Sequence, residues 1–207
     1  MRDVEEVRRV LAAHRPAARE SGARAAVAVV LRDSANGGVD VLLIERAHKA
    51  GDPWSGHMAF PGGRQDPTDL SARHTAERET FEEVGLDLTT AELLGQLDDL
   101  EGRHSGRPAG LAISAFVFFV GDPAPLLLQP EEVQAAFWVP LARLTDRAAH
   151  VDYHFRHELV SLDMPGIRVG EPEAHVVWGL TYRFLEDFLA ILGTPLENRW
   201  SPLASEA

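Results

Sequence analysis

"GGRQDPTDLSARHTAERETFEEVGL", residues 62–86, runs from a glycine pair through a turn-rich stretch into a segment crowded with carboxylates and stops at a glycine. The pattern predicts a helix from about Leu70 to Val84, with Gly85 as the left-handed residue just past its end and Leu86 making the apolar contact of such a cap. Glu79, Glu82 and Glu83 fall within this helix, and Glu77 lies just upstream. Like charges three or four residues apart cost an isolated helix roughly 0.2–0.5 kcal/mol per pair. Such crowding therefore asks for a compensating partner.

At about 100° per residue, Glu83 stands about 40° to one side of Glu79 and Glu82 about 60° to the other. The three carboxylates share one face. Thr80, Phe81 and Val84 lie off that arc and are expected to pack against a sheet, which would aim the acidic face in a set direction. Charge runs are ordinarily solvated surface. Here the preceding "FPGGRQDPTD" supplies Gly62 and Gly63, where backbone can approach a ligand closely. Arg78, four residues before Glu82, can orient that carboxylate by an ion pair. Hard divalent cations such as Mg²⁺ take oxygen ligands, usually carboxylates together with water and substrate phosphate. A bound cation would convert the repulsion into affinity.

Outward from this stretch, "RAAVAVVLRD" (24–33) and "VDVLLIERA" (39–47) read as strands joined by "SANGG", and Asn-Gly between such runs signals a hairpin. Residues 48–69 read as loop, except for a few near Phe60 that can pair as a strand. "AELLGQLDD" and "GLAISAFVFFVG" look like further strands, and "AAFWVPLARL" like a strand entering a short helix. Val4, Val7 and Leu11 recur at helical spacing. So do Val177, Leu180, Phe184, Phe188 and Leu192, which predict a packed helix across "EAHVVWGLTYRFLEDFLAIL". The fold class expected is α+β, an α/β/α sandwich with a mixed sheet between helices. The organisation expected is an amphipathic helix in 1–22, a main domain over 23–195 and a flexible tail over 196–207.

The 207 residues carry a formal charge of −12 and no cysteine. The acidity argues against a duplex nucleic acid partner, since phosphate binding relies on Lys and Arg. A small phosphorylated ligand can still be held through a metal ion. Lack of cysteine excludes disulfides, thiolate catalysis and Cys-based zinc sites. The charged N-terminus has no apolar centre of signal-peptide type. The longest apolar run, 111–120, is about half the length a spanning helix needs. No membrane association and a cytoplasmic location are therefore expected. Among nine histidines, "HFRH" (154–157) holds the closest pair, with no third ligand at zinc-site spacing.

The stretch 62–86 resembles the signature box of the Nudix hydrolases: Gly, five residues, Glu, seven residues, Arg-Glu-aliphatic-x-Glu-Glu-x-Gly-aliphatic. Gly63, Asp69, Arg78, Glu79, Glu82, Glu83, Gly85 and Leu86 stand in those places. Asp69 replaces the first Glu, eight residues rather than seven precede Arg78, and Thr80 replaces the aliphatic. The longer spacing, together with "LLIERA" (42–47), "GHMAFPGG" (56–63), "GQLDD" (95–99), "FWVPLARL" (137–144) and "VVWGLTYRFL" (176–185), is similar to the coenzyme A pyrophosphatase branch. The resemblance covers roughly residues 24–192.

It implies hydrolysis of a nucleoside diphosphate derivative, coenzyme A or a coenzyme A ester foremost, with Mg²⁺ or Mn²⁺ as cofactor. ADP-ribose or another nucleotide sugar is the alternative substrate, and a nucleotide-binding regulatory domain without turnover the alternative of another class. Glu79, Glu82 and Glu83 become the implied metal ligands. Glu82, Glu83 and Arg78 become the catalytic group, with Glu82 or Glu83 also eligible as general base. Glu131 and Glu132 in "QPEEVQ" are further nominees for base or ligand. Arg46, His57, Gly62 and Gly63 would contact substrate, Arg46 through its bidentate donors. Trp54 either stacks on a base or plugs its loop, and Trp138 and Trp178 are expected in the core. A homodimer is possible by the same resemblance.

Overall fold

The computed structural model describes residues 3–52, 54–104, 107–157, 160–170 and 175–197. The expected hairpin forms from β1 (Ala23–Asp33) and β2 (Val39–Arg46), antiparallel with Asp33 opposite Val39. Its turn closes through the Gly37 N–H donating to Ser34 O at 2.9 Å. The small strands β3 (Met58–Ala59) and β4 (Gly62–Arg64) lie within the segment read as loop and pair with β2 and β1. β5 (Glu92–Gln96) and β6 (Leu100–His104) both pair antiparallel with β7 (Arg107–Phe119). β7 itself runs parallel to β1, and β8 (Val133–Pro140) completes the sheet on β2. Among the described residues this sheet has eight strands.

Side-chain alternation along the central strands builds two cores. Ala26, Ala28 and Val30 of β1 join Phe116 and Phe118 of β7 on one face, against Ala76 and Val84 of α2 (Ala72–Val84). Val29, Leu31 and Val117 point the other way. They meet Val7 and Leu11 of α1 (Val4–Ala13) and Phe184, Leu185 and Phe188 of α4 (Gly179–Ile191). The result is the expected mixed sheet between helices. No helix among the described residues is long and apolar enough to cross a membrane. Residues 198–207 of the expected tail lie outside the described residues, while Leu196 is buried in the core.

Three expectations need correction. Phe81 does not pack on the sheet: it is 58% exposed. The buried residues of α2 include Thr75, Ala76, Thr80, Glu83 and Val84, so the arc turned inward is centred nearer Glu83 than Phe81, which lies about 160° from Glu83 around the axis. The terminal helix begins only at Gly179, because Val176–Trp178 form a strand, β11. Apolar spacing alone did not separate "VVW" from the helix that follows it. Finally, β9 (His150–His157) and β10 (Val160–Arg168) pair with β11 in a second sheet that the sequence reading missed. β10 contains Pro165 and Gly166, residues that argue against a strand interior.

Candidate active site

α2 starts where the Ser71 hydroxyl accepts from the His74 N–H at 3.1 Å, two residues later than expected. It ends at Gly85, whose φ of +69° is the left-handed value a C-cap needs. From that end the chain 127–129 is tied down: the Leu127 N–H donates to Val84 O and the Gln129 N–H to Glu83 O, each at 2.9 Å.

Arg78 is the hub of the helix surface. Its Nη1 donates to Glu82 Oε2 at 2.9 Å, as its spacing predicts, and its Nη2 to Glu79 Oε1 at 3.0 Å. Its strongest engagement is with Asp69, through Nε and Nη2. The Arg78 guanidinium, with the Asp66 N–H and Thr75 hydroxyl, holds the Asp69 carboxyl far below the usual carboxylate range.

Glu83 is only 3% exposed and accepts from the Gly62 N–H at 2.9 Å. Burial pushes its carboxyl up to about 8, and the neighbouring charge of Glu79 adds to this. Burial raises Glu79 as well, against the pull of Arg78. Both glycines of the preceding turn are needed for this approach. Gly62 has φ +151°, and a Cβ there would stand 2.3 Å from Ala26 O. A Cβ on Gly63 would stand 2.4 Å from the Glu79 carboxyl carbon.

Arg46 acts on the same group, since its charge favours ionised Glu83. One of its nitrogens donates to Asp52 at 3.1 Å, and its Nε is buried without a hydrogen-bond partner among the described residues. His57 lies beside it and faces Trp178 edge-on at 4.7 Å; burial and the Arg46 charge push the imidazole down to about 4. Glu132 is set apart from Glu131 by its charge, which raises both Glu79 and Glu83. Trp178 is buried as expected, whereas Trp138 is half-buried beneath Arg32, whose guanidinium lies 4.5 Å from the ring centre. Of the "HFRH" pair, His154 bonds Asp163, and the side chain of His157 lies outside those described.

Comparison with known proteins matches the NUDIX domain to residues 22–159. The chain belongs to the Nudix family. It is a Nudix hydrolase, an enzyme. The human protein named mitochondrial coenzyme A diphosphatase NUDT8 is 34% identical over 194 residues, which are 89% of this chain and 76% of that one. An uncharacterized protein of Schizosaccharomyces pombe is 47% identical over 107 residues, but these are 50% of this chain and 32% of the relative, so the chain spans about a third of its length. In structure, a MutT/nudix family protein from Enterococcus faecalis superposes with a TM-score of 0.52 at 19% identity, covering 92% of this chain and 75% of that one. That likeness concerns the fold.

Nudix hydrolases generally use divalent metals. Among the described residues no three His, Asp or Glu side chains converge closely enough to form a ready-made metal site, since Glu82 is turned to Arg78 with 52% of its side chain exposed. The donor chemistry nevertheless fits a hard cation. Glu79 and Glu83 offer only oxygen, burial raises both against the pull of Arg78 and Arg46, and Glu82 is one ion pair away from joining them. What the Nudix box did not reveal is the selective coupling of Glu132 and the unspent Nε of Arg46. Both arise from strand pairing: β2 sets Arg46 opposite Val133, next to Glu132.

Proposed function

We propose that the chain hydrolyses the diphosphate bond of a nucleoside diphosphate derivative with a divalent cation, Mg²⁺ or Mn²⁺, and that coenzyme A or its acyl esters are the substrate. The observation that carries this reading is the buried Glu83 and the half-buried Glu79, held beside the Gly62–Gly63 turn and flanked by Arg46. The human relative, named a coenzyme A diphosphatase, supports the choice of substrate.

Glu79, Glu82 and Glu83 would hold the cation. When bound, the ion supplies charge neutralisation at the diphosphate and a more acidic water. Arg78, fixed by Asp69, keeps Glu79 and Glu82 at hand and limits their motion. Arg46, whose charge already acts on Glu83, would turn its guanidinium toward diphosphate oxygen. Gly62 and Gly63 leave room for Ala26 O and for the Glu79 carboxylate, which keeps the turn against the acidic helix where substrate would meet it. Glu132 accepts the proton of the attacking water, because its charge reaches both inner carboxylates while its side chain stays exposed.

Product analysis tests this directly. Coenzyme A, ADP-ribose and dinucleoside polyphosphates are incubated side by side with the protein and Mg²⁺. Coenzyme A should yield an adenosine bisphosphate and a phosphorylated pantetheine, with the others cleaved more slowly. Preferential cleavage of ADP-ribose would overturn the substrate assignment, and no cleavage of any would overturn the reading.

A further inference from the structure

The chain that leaves β2 folds back on Arg46. The Arg46 N–H donates to His57 O and the Gly56 N–H to Arg46 O, each at 3.1 Å. Ser55 cinches the loop between them: its hydroxyl accepts from the Lys49 N–H and donates to Lys49 O, both at 2.9 Å. Asp52 stands inside this loop and bonds in two directions. Its Oδ1 accepts from the Trp54 N–H at 2.9 Å, an Asx turn that fixes the carboxylate, and its Oδ2 accepts from Arg46 Nη2 at 3.1 Å. Although partial burial works against ionisation, these two donors hold the carboxyl below its usual range. Along the strand, the pairing of β2 with β8 slips by one residue between Glu45 and Arg46. Bulges of this kind gather next to active sites, where they re-aim a side chain.

Arg46 has a second anion within reach of its charge. Burial raises Glu83, and the Arg46 guanidinium works against that rise. Yet among the described residues the Arg46 side chain bonds Asp52 alone, and its Nε is enclosed without a hydrogen-bond partner. Glu83 takes the Gly62 N–H on Oε2 and has no hydrogen bond on its other oxygen among the described residues. A guanidinium not held elsewhere would settle on such a carboxylate, because buried charges are costly unless paired and charge-assisted bonds are the strong ones. The resulting ion pair would fill the position a cation needs and draw the arginine away from a diphosphate. Asp52, half-buried where Glu83 is buried, competes for the same guanidinium from the loop side.

We infer that Asp52 is a positioning residue: it holds the Arg46 guanidinium on the 48–57 loop and off Glu83, so that the buried carboxylate stays open to a cation and the arginine to a diphosphate. This rests on reading Glu83 as a cation ligand. The test is calorimetric titration of Mg²⁺ into the full chain as wild type, Asp52→Asn, Arg46→Ala and the double variant. Asparagine keeps an oxygen for the Trp54 N–H but brings no charge to Arg46, so the thermal midpoint of Asp52→Asn should stay near that of the wild type. Its apparent Mg²⁺ affinity should fall about tenfold, as when only about a tenth of the molecules keep Glu83 open. In the Arg46→Ala background the same change should move the affinity by less than about twofold, because no arginine remains to cross over. With coenzyme A, the Mg²⁺ concentration for half-maximal turnover should rise in Asp52→Asn by the same factor as the dissociation constant. Equal losses in both backgrounds, the mark of a loop that has merely loosened, would overturn the inference. So would an Asp52→Asn variant that binds Mg²⁺ as the wild type does, or a wild type that takes up none. If Mg²⁺ binding shows the coupling but no diphosphate is cleaved, the restraint stands and the hydrolytic reading falls; cleavage with Mg²⁺ binding indifferent to Asp52 means the reverse.

Discussion

Arg78 meets Asp69 side-on, Nε to Oδ1 and Nη2 to Oδ2, each at 2.9 Å, with the aspartate side chain fully shielded from solvent. The acidic face of α2 is therefore organised from outside the helix, by a residue nine positions before its arginine.

Asp69→Ala should cost about 3 kcal/mol, the usual result of stripping one partner from a buried pair. A urea midpoint measures it. The pH dependence follows from the depressed carboxyl of Asp69. Its contribution is complete above the ordinary carboxylate range and is lost as pH falls beneath it. The gap between wild type and Asp69→Asn should therefore narrow in acid.

Glu83 has the opposite sign. Its folded pKa, pushed up to about 8, exceeds the unfolded value of about 4.3, so its contribution is complete below the latter and is lost as pH rises through the former. In metal chelator, the thermal midpoint should fall from about pH 5 to pH 9, and Glu83→Gln should flatten that slope. Mg²⁺ should raise the wild-type midpoint at the alkaline end and leave that of Glu83→Gln nearly unmoved. A variant that keeps wild-type turnover would remove Glu83 from the catalytic group.

The two glycines should fail differently. A Cβ at Gly62 meets backbone, Ala26 O, which cannot step aside, so Gly62→Ala should destabilise by about 3 kcal/mol or more. At Gly63 it meets the end of the Glu79 side chain. Gly63→Ala should unfold near the wild-type midpoint but lose about 10²-fold in kcat by displacing that carboxylate.

Glu132→Gln should lower kcat by about 10²–10⁴ with KM little changed, whereas Glu131→Gln should behave as wild type. Steady-state kinetics at saturating Mg²⁺ separates them. Equal losses in both variants would show that overall charge, rather than one proton acceptor, matters.

Periodicity disclosed the sheet hairpin, the acidic helix and its glycine stop because each is a local signal: Asn-Gly between aliphatic runs, and carboxylates at helical spacing before Gly85. Phe81 shows where such signals end. The acidic arc was visible, but which flank of it turns inward depends on Phe116 and Phe118, far along the chain. The second sheet was hidden by Pro165 and Gly166; β11 pairs with β10 only from Gly166 onward, so Pro165 has a partner strand on one side alone, where a residue without an N–H is tolerated. Arg46, His57, Gly62 and Gly63 could be nominated from the sequence. That Arg46 stands beside His57 appears only once β2 and β3 are paired and the Arg46 N–H donates to His57 O.

The bonds from Leu127 and Gln129 to the last turn of α2 also have a bearing on how this chain can be re-engineered. They fasten the segment leading to Glu132 onto the helix, so that the carboxylates proposed for catalysis, drawn from distant parts of the sequence, share one frame. Extra residues spliced in before 127 would bulge harmlessly outward, while a single one inserted between 129 and 132 would throw Glu132 out of alignment.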